Sequence, residues 1–290
     1  VTHLDRVLYP EAGITKGELI DQHVRVADRM LPHVAQRPLT LVRCPAGIGE
    51  ECFYQKHLAE GVPETLAAVD VEETQGAVET YLTVASAAGL VTLAQLGVLE
   101  VHPWGSRVEH LDRPDRLIFD LDPDPSVGWP RVVASAHDLR ALLADLGLER
   151  FARTTGGKGV HLVVPLVPEL DWEHAKELSK AVAGLLAERD PGRYTTNPLK
   201  AKRKGRIFVD YLRNAFGATA IASYSPRARP GAPVATPVEW DELTRELDPA
   251  GFTVRTLPRR LESQEWDRWA QVPNHPQRLR PEIRYFLQEK

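Results

Sequence analysis

Arg116-Leu-Ile-Phe-Asp-Leu-Asp-Pro-Asp124 decides how the rest of the chain is read. Leu117, Ile118 and Phe119 run straight into Asp120, and Asp122 follows after one Leu. Side chains alternate with period two along a strand, so Asp120 and Asp122 project from one face. Two carboxylates on one buried face repel each other and resist ionising unless a cation lies between them. A hard divalent ion with oxygen ligands suits that position. The same residues also fit a strand end running into an acidic turn, because Pro123 and Pro125 stop any ladder there.

Downstream, Pro130 fits the first position of a helix. Val132, Val133, Ala136, Leu139, Leu142, Leu143 and Leu146 mark one helical face that ends at Gly147. Strands are predicted over Phe151–Thr154 and Val160–Val167, then a helix from Asp171 to about Glu188. This order predicts an α/β (α+β) core with a mostly central sheet.

Upstream, Thr15-Lys-Gly-Glu18 reads as a capping box opening a helix that Pro32 ends. Strands are predicted over Leu39–Cys44 and Val78–Val84, and Ser86 caps a helix closed by Gly97. Phe53 and Tyr54 read as core residues rather than a stacking surface. Pro226–Pro237 reads as a long functional loop or linker, and Val238–Leu243 as the start of a helix. Trp266, Trp269 and Phe286 suggest a tail that packs. No boundary divides the chain, so one domain over residues 1–290 is expected.

The 290 residues are 43% hydrophobic and 26% charged, enough for a large core. A net charge of −4 excludes nucleic-acid binding by overall basicity but leaves room for a local basic patch. Cys44 and Cys52 form no Cys-x-x-Cys pair, which supports neither a disulfide framework nor a zinc knuckle. With no apolar run of membrane-spanning length and no signal peptide, a cytoplasmic setting is expected. The chain starts at Val1, as a processed product or an excised piece would.

Three further constellations carry chemistry. Thr154-Thr-Gly-Gly-Lys-Gly-Val-His161 offers amides, Lys158, the Thr155 hydroxyl and His161 to an anion, or is simply a glycine-rich hairpin turn. It is not a Walker loop. Lys200-Ala-Lys-Arg-Lys-Gly-Arg206 is a basic run suited to phosphates or to plain solvation. In Ile207-Phe-Val-Asp-Tyr211, Asp210 follows three apolar residues as Asp120 does and offers a third carboxylate. A lone histidine such as His102 is ordinarily structural.

Together, Asp120-x-Asp122, Thr155 to His161 and Asp210 resemble the three motifs of the archaeo-eukaryotic primase superfamily. They are most similar to the polymerase domain of bacterial DNA ligase D. Asp210-Tyr-Leu-Arg-Asn214, Tyr224-Ser-Pro-Arg-Ala-Arg-Pro-Gly-Ala232, Tyr9-Pro10 and Thr15-Lys16 extend the likeness along nearly the whole chain. Thr155 departs from the Ser of many relatives but keeps the hydroxyl. No ligase Lys-x-Asp-Gly motif is present, so a stand-alone polymerase or a cut-out domain is expected.

The resemblance implies a primase-like catalytic core built from two interlocked α/β modules. It implies template-directed nucleotidyl transfer in gap filling and end extension during non-homologous end joining, with two divalent ions, Mn²⁺ or Mg²⁺, on Asp120, Asp122 and Asp210. Thr155, Lys158, His161 and Arg227 would grip the triphosphate, and His102 would face the nucleotide. Lys16, Arg43 and Lys56 would bind a DNA 5′-phosphate. The implied partners are gapped or broken DNA, NTPs or dNTPs, Ku and a DNA ligase, in a nucleoid-associated setting.

Two alternatives stand beside it. A haloacid-dehalogenase-like phosphohydrolase also opens with strand-borne Asp-x-Asp, but wants Thr or Val where Asp124 stands, and a later paired-acid motif. A non-catalytic nucleic-acid binding module leaves three phosphate-repelling carboxylates unexplained.

Overall fold

The structure is a computed structural model that describes residues 1–58, 61–264 and 267–283. The chain opens with a short hairpin, β1 (Val7–Tyr9) and β2 (Ile14–Thr15), leading into α1 (Lys16–Val34). The capping box forms as expected: Thr15 accepts from the Glu18 amide at 3.2 Å, and Glu18 accepts from the Thr15 amide at 2.9 Å. Pro32 does not end α1. It stands in the last turn, where a missing N–H costs one bond, and the Ala35 amide still reaches Leu31 O.

Next come β3 (Leu39–Arg43), β4 (Phe53–Gln55), the hairpin β5 (Ala67–Glu72) and β6 (Val78–Thr83), α2 (Ala87–Gln95) and β7 (Val98–Pro103). A three-stranded sheet has the order β4-β3-β7. The edge position of β4 corrects its reading: Phe53 and Tyr54 are 43% and 74% exposed. The cysteine reading is corrected too. Arg43 pairs with Phe53 across the hairpin, so the adjoining Cys44 and Cys52 meet and form a disulfide.

The central sheet follows: β8 (Arg116–Pro123), α3 (Trp129–Asp145), β9 (Phe151–Thr154), β10 (Val160–Pro165), α4 (Trp172–Arg189), β11 (Tyr194–Thr195), β12 (Ile207–Asp210) and β13 (Pro237–Val238). Its strand order is β11-β12-β8-β10-β9-β13, antiparallel except for β11 and β12. On β8 the alternation holds. Leu117, Phe119 and Leu121 enter the core under α3 and α4, where each buried side chain is worth about 1.5–3 kcal/mol. Ile118 packs on the other face with Phe151, Val163 and Trp269, and Asp120 and Asp122 share that face.

Two large cores result, and the chain visits the first one twice. Leu19, Met30, Leu41, Leu90 and Val101 are joined there by Ala222, Tyr224, Ala232, Val234, Val254 and Leu257, the last from α5 (Leu257–Ser263). Pro226–Pro237 is therefore no linker: Ala232 and Val234 are fully buried, and bridges pair Pro226 with Val234 and Pro233 with Thr253. Val238–Leu243 makes a single turn instead of a helix, because the Glu242 carboxylate takes the Glu239 amide and two guanidinium nitrogens of Arg260. Trp269 packs as expected at 3% exposure, while Trp266 and Phe286 lie outside the described residues. No described helix is long and apolar enough to cross a membrane.

Candidate nucleotidyl-transfer site

Strand register sets a row of polar residues across four strands. Asp210 on β12 lies opposite Asp120 on β8, Asp120 opposite His161 on β10, and His161 opposite Arg153 on β9. Directly opposed residues share a face, so residues far apart in sequence stand side by side. Asn214 fixes the neighbouring loop to β8, accepting from the Ile118 amide at 2.7 Å and donating to its carbonyl at 2.9 Å.

Asp120 and His161 of this row line a cleft of about 630 Å³. Asp120, Asp122, His161, His102 and Thr155 line it, with Lys158, Lys200, Arg203, Arg213, Arg227 and Arg229 supplying cations. Asp210 lies beside Asp120 in the row and is buried, at 8% exposure. Arg203 donates to Asp122 at 2.8 Å and stacks over Phe208, while Arg213 reaches Asp120 at 3.4 Å and Asp210 at 3.2 Å.

These contacts set the protonation states. Burial and the charge on Asp120 push the Asp122 carboxyl up, against Arg203 and Arg213. Burial raises Asp210 as well, opposed by Arg213 and reinforced by Asp120. Burial also works against a charged Asp120, but His161, Arg213 and Arg227 outweigh it and hold that carboxyl at about 2. Burial takes His161 down to about 4, so the ring is neutral near neutral pH.

The tautomer of His161 follows from its neighbour. Arg153 aims Nη2 at His161 Nδ1 at 3.1 Å and Nε at 3.3 Å, and arginine only donates. Nδ1 therefore accepts, and Nε2 carries the proton, 3.4 Å from Asp120 Oδ1. Ser223 holds Arg153 in turn at 3.0 Å.

The glycine-rich turn lies over the end of β8. A Cβ on Gly159 would stand 2.7 Å from Leu121 O, and one on Gly156, at φ +64°, would stand 2.7 Å from Arg227 Cγ. Gly159→Ala should lower stability by about 1–3 kcal/mol, because strand backbone must yield; thermal denaturation checks this against Gly184→Ala, where a Cβ meets nothing. The Thr155 hydroxyl donates to Gly159 O at 3.2 Å, so it closes the turn and keeps its lone pairs toward the cleft. Arg227 bridges Thr155 O at 2.7 Å and Glu100 at 3.1 Å, and Glu100 takes the His102 Nε2 proton at 2.8 Å. Burial opposes a charged Glu100, but His102, Arg227 and the Ala228 amide bring it down to about 2.

The other three basic residues lie elsewhere. Lys16 donates to Gln95 O at 3.3 Å and Arg43 to Leu96 O at 2.9 Å, so both close the C-terminal end of α2. A cation there is favoured by the helix dipole. The amides at the start of α1 are not free for an anion, since Lys16 N–H bonds Arg6 O, Gly17 N–H bonds Leu4 O and Glu18 N–H bonds Thr15. Lys56 is exposed.

The sequence reading missed Arg153, Arg213 and Glu100, and flagged Arg203 only as one of five cations in a basic run. A charge inside the apolar strand Phe151–Thr154, and Glu100 two residues before His102 on one strand face, were the available signals.

Residues 15–269 match the family model for the LigD primase-polymerase domain. The multifunctional non-homologous end joining protein LigD of Pseudomonas aeruginosa is 39% identical over 292 residues, covering 99% of this chain and 34% of that protein. Its Mycolicibacterium smegmatis counterpart is 39% identical over 245 residues, covering 84% of this chain and 32% of that protein. The chain thus spans about a third of the length of these relatives. The polymerase domain of Mycobacterium tuberculosis ligase D, solved in complex with DNA, matches with a TM-score of 0.88 and 33% identity, over 96% of this chain and 98% of that one. Sequence, fold and extent thus agree, and the chain belongs to the LigD primase-polymerase domain family of DNA-directed nucleotidyltransferases.

Proposed function

We propose that this chain, working as one unit, extends a primer strand across gaps and at broken DNA ends during end joining. The observation that carries the reading is the row Asp210, Asp120 and His161, of which Asp120 and His161 line a cleft whose rim is cationic. A growing nucleotide strand and a triphosphate need such a combination: oxygen donors for hard cations beside cations for phosphate.

Among the described residues no three His, Cys, Asp or Glu side chains stand in metal-ligand geometry. The donor set nevertheless fits a divalent ion. Asp122 and Asp210 carry carboxyls that burial pushes up, and Arg203 and Arg213 supply the charge they require. Asp120, Asp122 and Asp210 would hold two ions, Mn²⁺ or Mg²⁺. When bound, such ions lower the pKa of a primer 3′-hydroxyl and neutralise the leaving pyrophosphate. Lys158 and Arg227 would bind the triphosphate, the His161 Nε2–H would donate to it, and Thr155 would hold the turn in place. His102, with Nε2 spent on Glu100, would present Nδ1 as an acceptor to the incoming NTP or dNTP.

The relatives are named for non-homologous end joining, which supports a place for this activity alongside a DNA ligase and Ku. The phosphohydrolase alternative is not favoured: its nucleophile would be Asp120, which here is flanked by Asp210 and His161 in a family of different chemistry. The decisive experiment is primer extension on a gapped duplex, with each metal and each nucleotide type supplied separately. Failure to incorporate any nucleotide with either metal overturns the reading.

Lys16, Arg43 and Lys56 remain our proposed 5′-phosphate contacts, with exposed Phe53 and Tyr54 offering base-stacking faces nearby in sequence. Burial and the adjacent Arg6 lower the Lys16 pKa, a cost that an anion would relieve. Arg43→Ala and Lys16→Ala should each reduce the preference for a 5′-phosphate over a 5′-hydroxyl about 10-fold, one charge-assisted hydrogen bond in size. Fluorescence anisotropy on the two duplexes measures it, and an unchanged preference removes that residue from the pocket.

A further inference from the structure

A second charged pocket, of about 270 Å³, lies where the segment after α1 meets the start of β8. Arg37, Arg107, Arg113 and Arg116 line it against only two carboxylates, Asp115 and Glu109. Asp115 is already saturated. Its Oδ1 accepts from Arg37 at 2.8 Å and Arg116 at 3.2 Å, and its Oδ2 accepts from Arg37 and from Arg107 at 3.3 Å. Three guanidinium groups thus share one carboxylate.

Arg37 is 1% exposed, and its Nε–H has no hydrogen-bond partner among the described residues. A buried donor without an acceptor leaves the Arg37 charge short of compensation. The surrounding charge points the same way. Burial, then the neighbouring Arg37, holds Arg116 down at about 9. His33 is depressed by burial and by Arg116, Arg153, Arg37 and Arg107. The excess is cationic and is concentrated beside a cavity.

We infer that this pocket binds a small phosphate-type oxyanion at a place separate from the nucleotide cleft. Arg116 stands four residues before Asp120 on β8, roughly 13 Å along the strand, so one phosphate cannot serve both places. Guanidinium groups match tetrahedral oxyanions through paired N–H donors. The volume suits inorganic phosphate, pyrophosphate or the terminal phosphate of a nucleic-acid strand.

The test uses the full chain carrying Arg227→Ala, which weakens phosphate binding in the cleft. Titration calorimetry and thermal denaturation are run with inorganic phosphate, pyrophosphate and a short 5′-phosphorylated oligonucleotide at matched ionic strength. Binding should persist in this background. It should weaken at least about 10-fold when Arg113→Ala is added, a side chain that is half-exposed and bonded only to Asp112. Arg107→Gln should weaken it likewise. Arg113→Ala alone should leave primer extension unchanged, which separates this site from the polymerase reading. A response to free phosphate that Arg113→Ala weakens identifies a soluble ligand, and a weakening confined to the oligonucleotide identifies a strand end; either upholds the site. No binding in the Arg227→Ala background, or binding indifferent to both added substitutions, overturns it.

Discussion

Asp210→Asn should reduce nucleotide addition by on the order of 10³-fold while leaving affinity for the DNA duplex largely intact. The substitution keeps the oxygen that accepts the Leu212 amide at 2.8 Å and removes only the charge. Its effect on stability has a definite sign. Burial raises the Asp210 carboxyl in the folded chain, with Arg213 opposing and Asp120 adding to the rise. The folded state therefore binds this proton more tightly than the unfolded state. The stability it contributes is present below the ordinary carboxylate pKa and is lost as pH rises through the raised one. At neutral pH the ionised Asp210 is a cost to the metal-free protein, and Asn removes it. The metal-free variant should melt no lower than wild type at neutral pH, and its melting temperature should fall less steeply with rising pH. Single-nucleotide incorporation and melting curves across mildly acidic to neutral pH check both parts. Normal incorporation by Asp210→Asn would falsify the carboxylate assignment.

Arg153→Met should raise KM for the nucleotide about 10–100-fold, the usual cost of losing a partner that orients a binding group. Arg153 touches no substrate in this reading; it positions His161. Without a donor at Nδ1, the neutral ring can place its proton on either nitrogen, and only the Nε2–H form presents a donor toward Asp120 and the cleft. Arg153→Lys keeps a charged donor and should recover part of the loss, with kcat less affected than KM in both variants. Nitrogen NMR of His161 separates positioning from packing, since the ring should report a single Nε2–H tautomer in wild type and a mixture in Arg153→Met. Equal KM values for the Lys and Met variants would remove the positioning role.

Much of this site was legible because the carboxylates obey a local rule. Asp120 and Asp122 follow an apolar run at strand period, Asp210 repeats the pattern, and the glycines around Lys158 announce a tight turn. The extents of α3, β9 and α4 were readable from caps and periodicity to within a residue or two, whereas β10 ends at Pro165 and not at the expected Val167. What stayed hidden depends on register between distant strands. Nothing in Phe151–Thr154 says that Arg153 will face His161, and nothing in Lys200–Arg206 says which of its five cations meets Asp122. The Cys44–Cys52 link needed the hairpin pairing of Arg43 with Phe53, and the exposure of Tyr54 needed β4 to lie at an edge. At the start of α1, nothing local says that Leu4 and Arg6 fold back to take the first amides.

The late return of the chain into its first core has a consequence for biosynthesis. Leu41, Leu90 and Val101 lie more than 130 residues ahead of their packing partners Val234, Val254 and Leu257, which leave the ribosome much later. At ordinary elongation speeds of ~5–20 residues per second, the nascent chain carries that half-built apolar surface for roughly 10–30 s. Throughout that interval the aliphatic side chains of α1, α2 and β3 are open to chaperones and to neighbouring nascent chains. The first core is complete only once Leu257 has emerged.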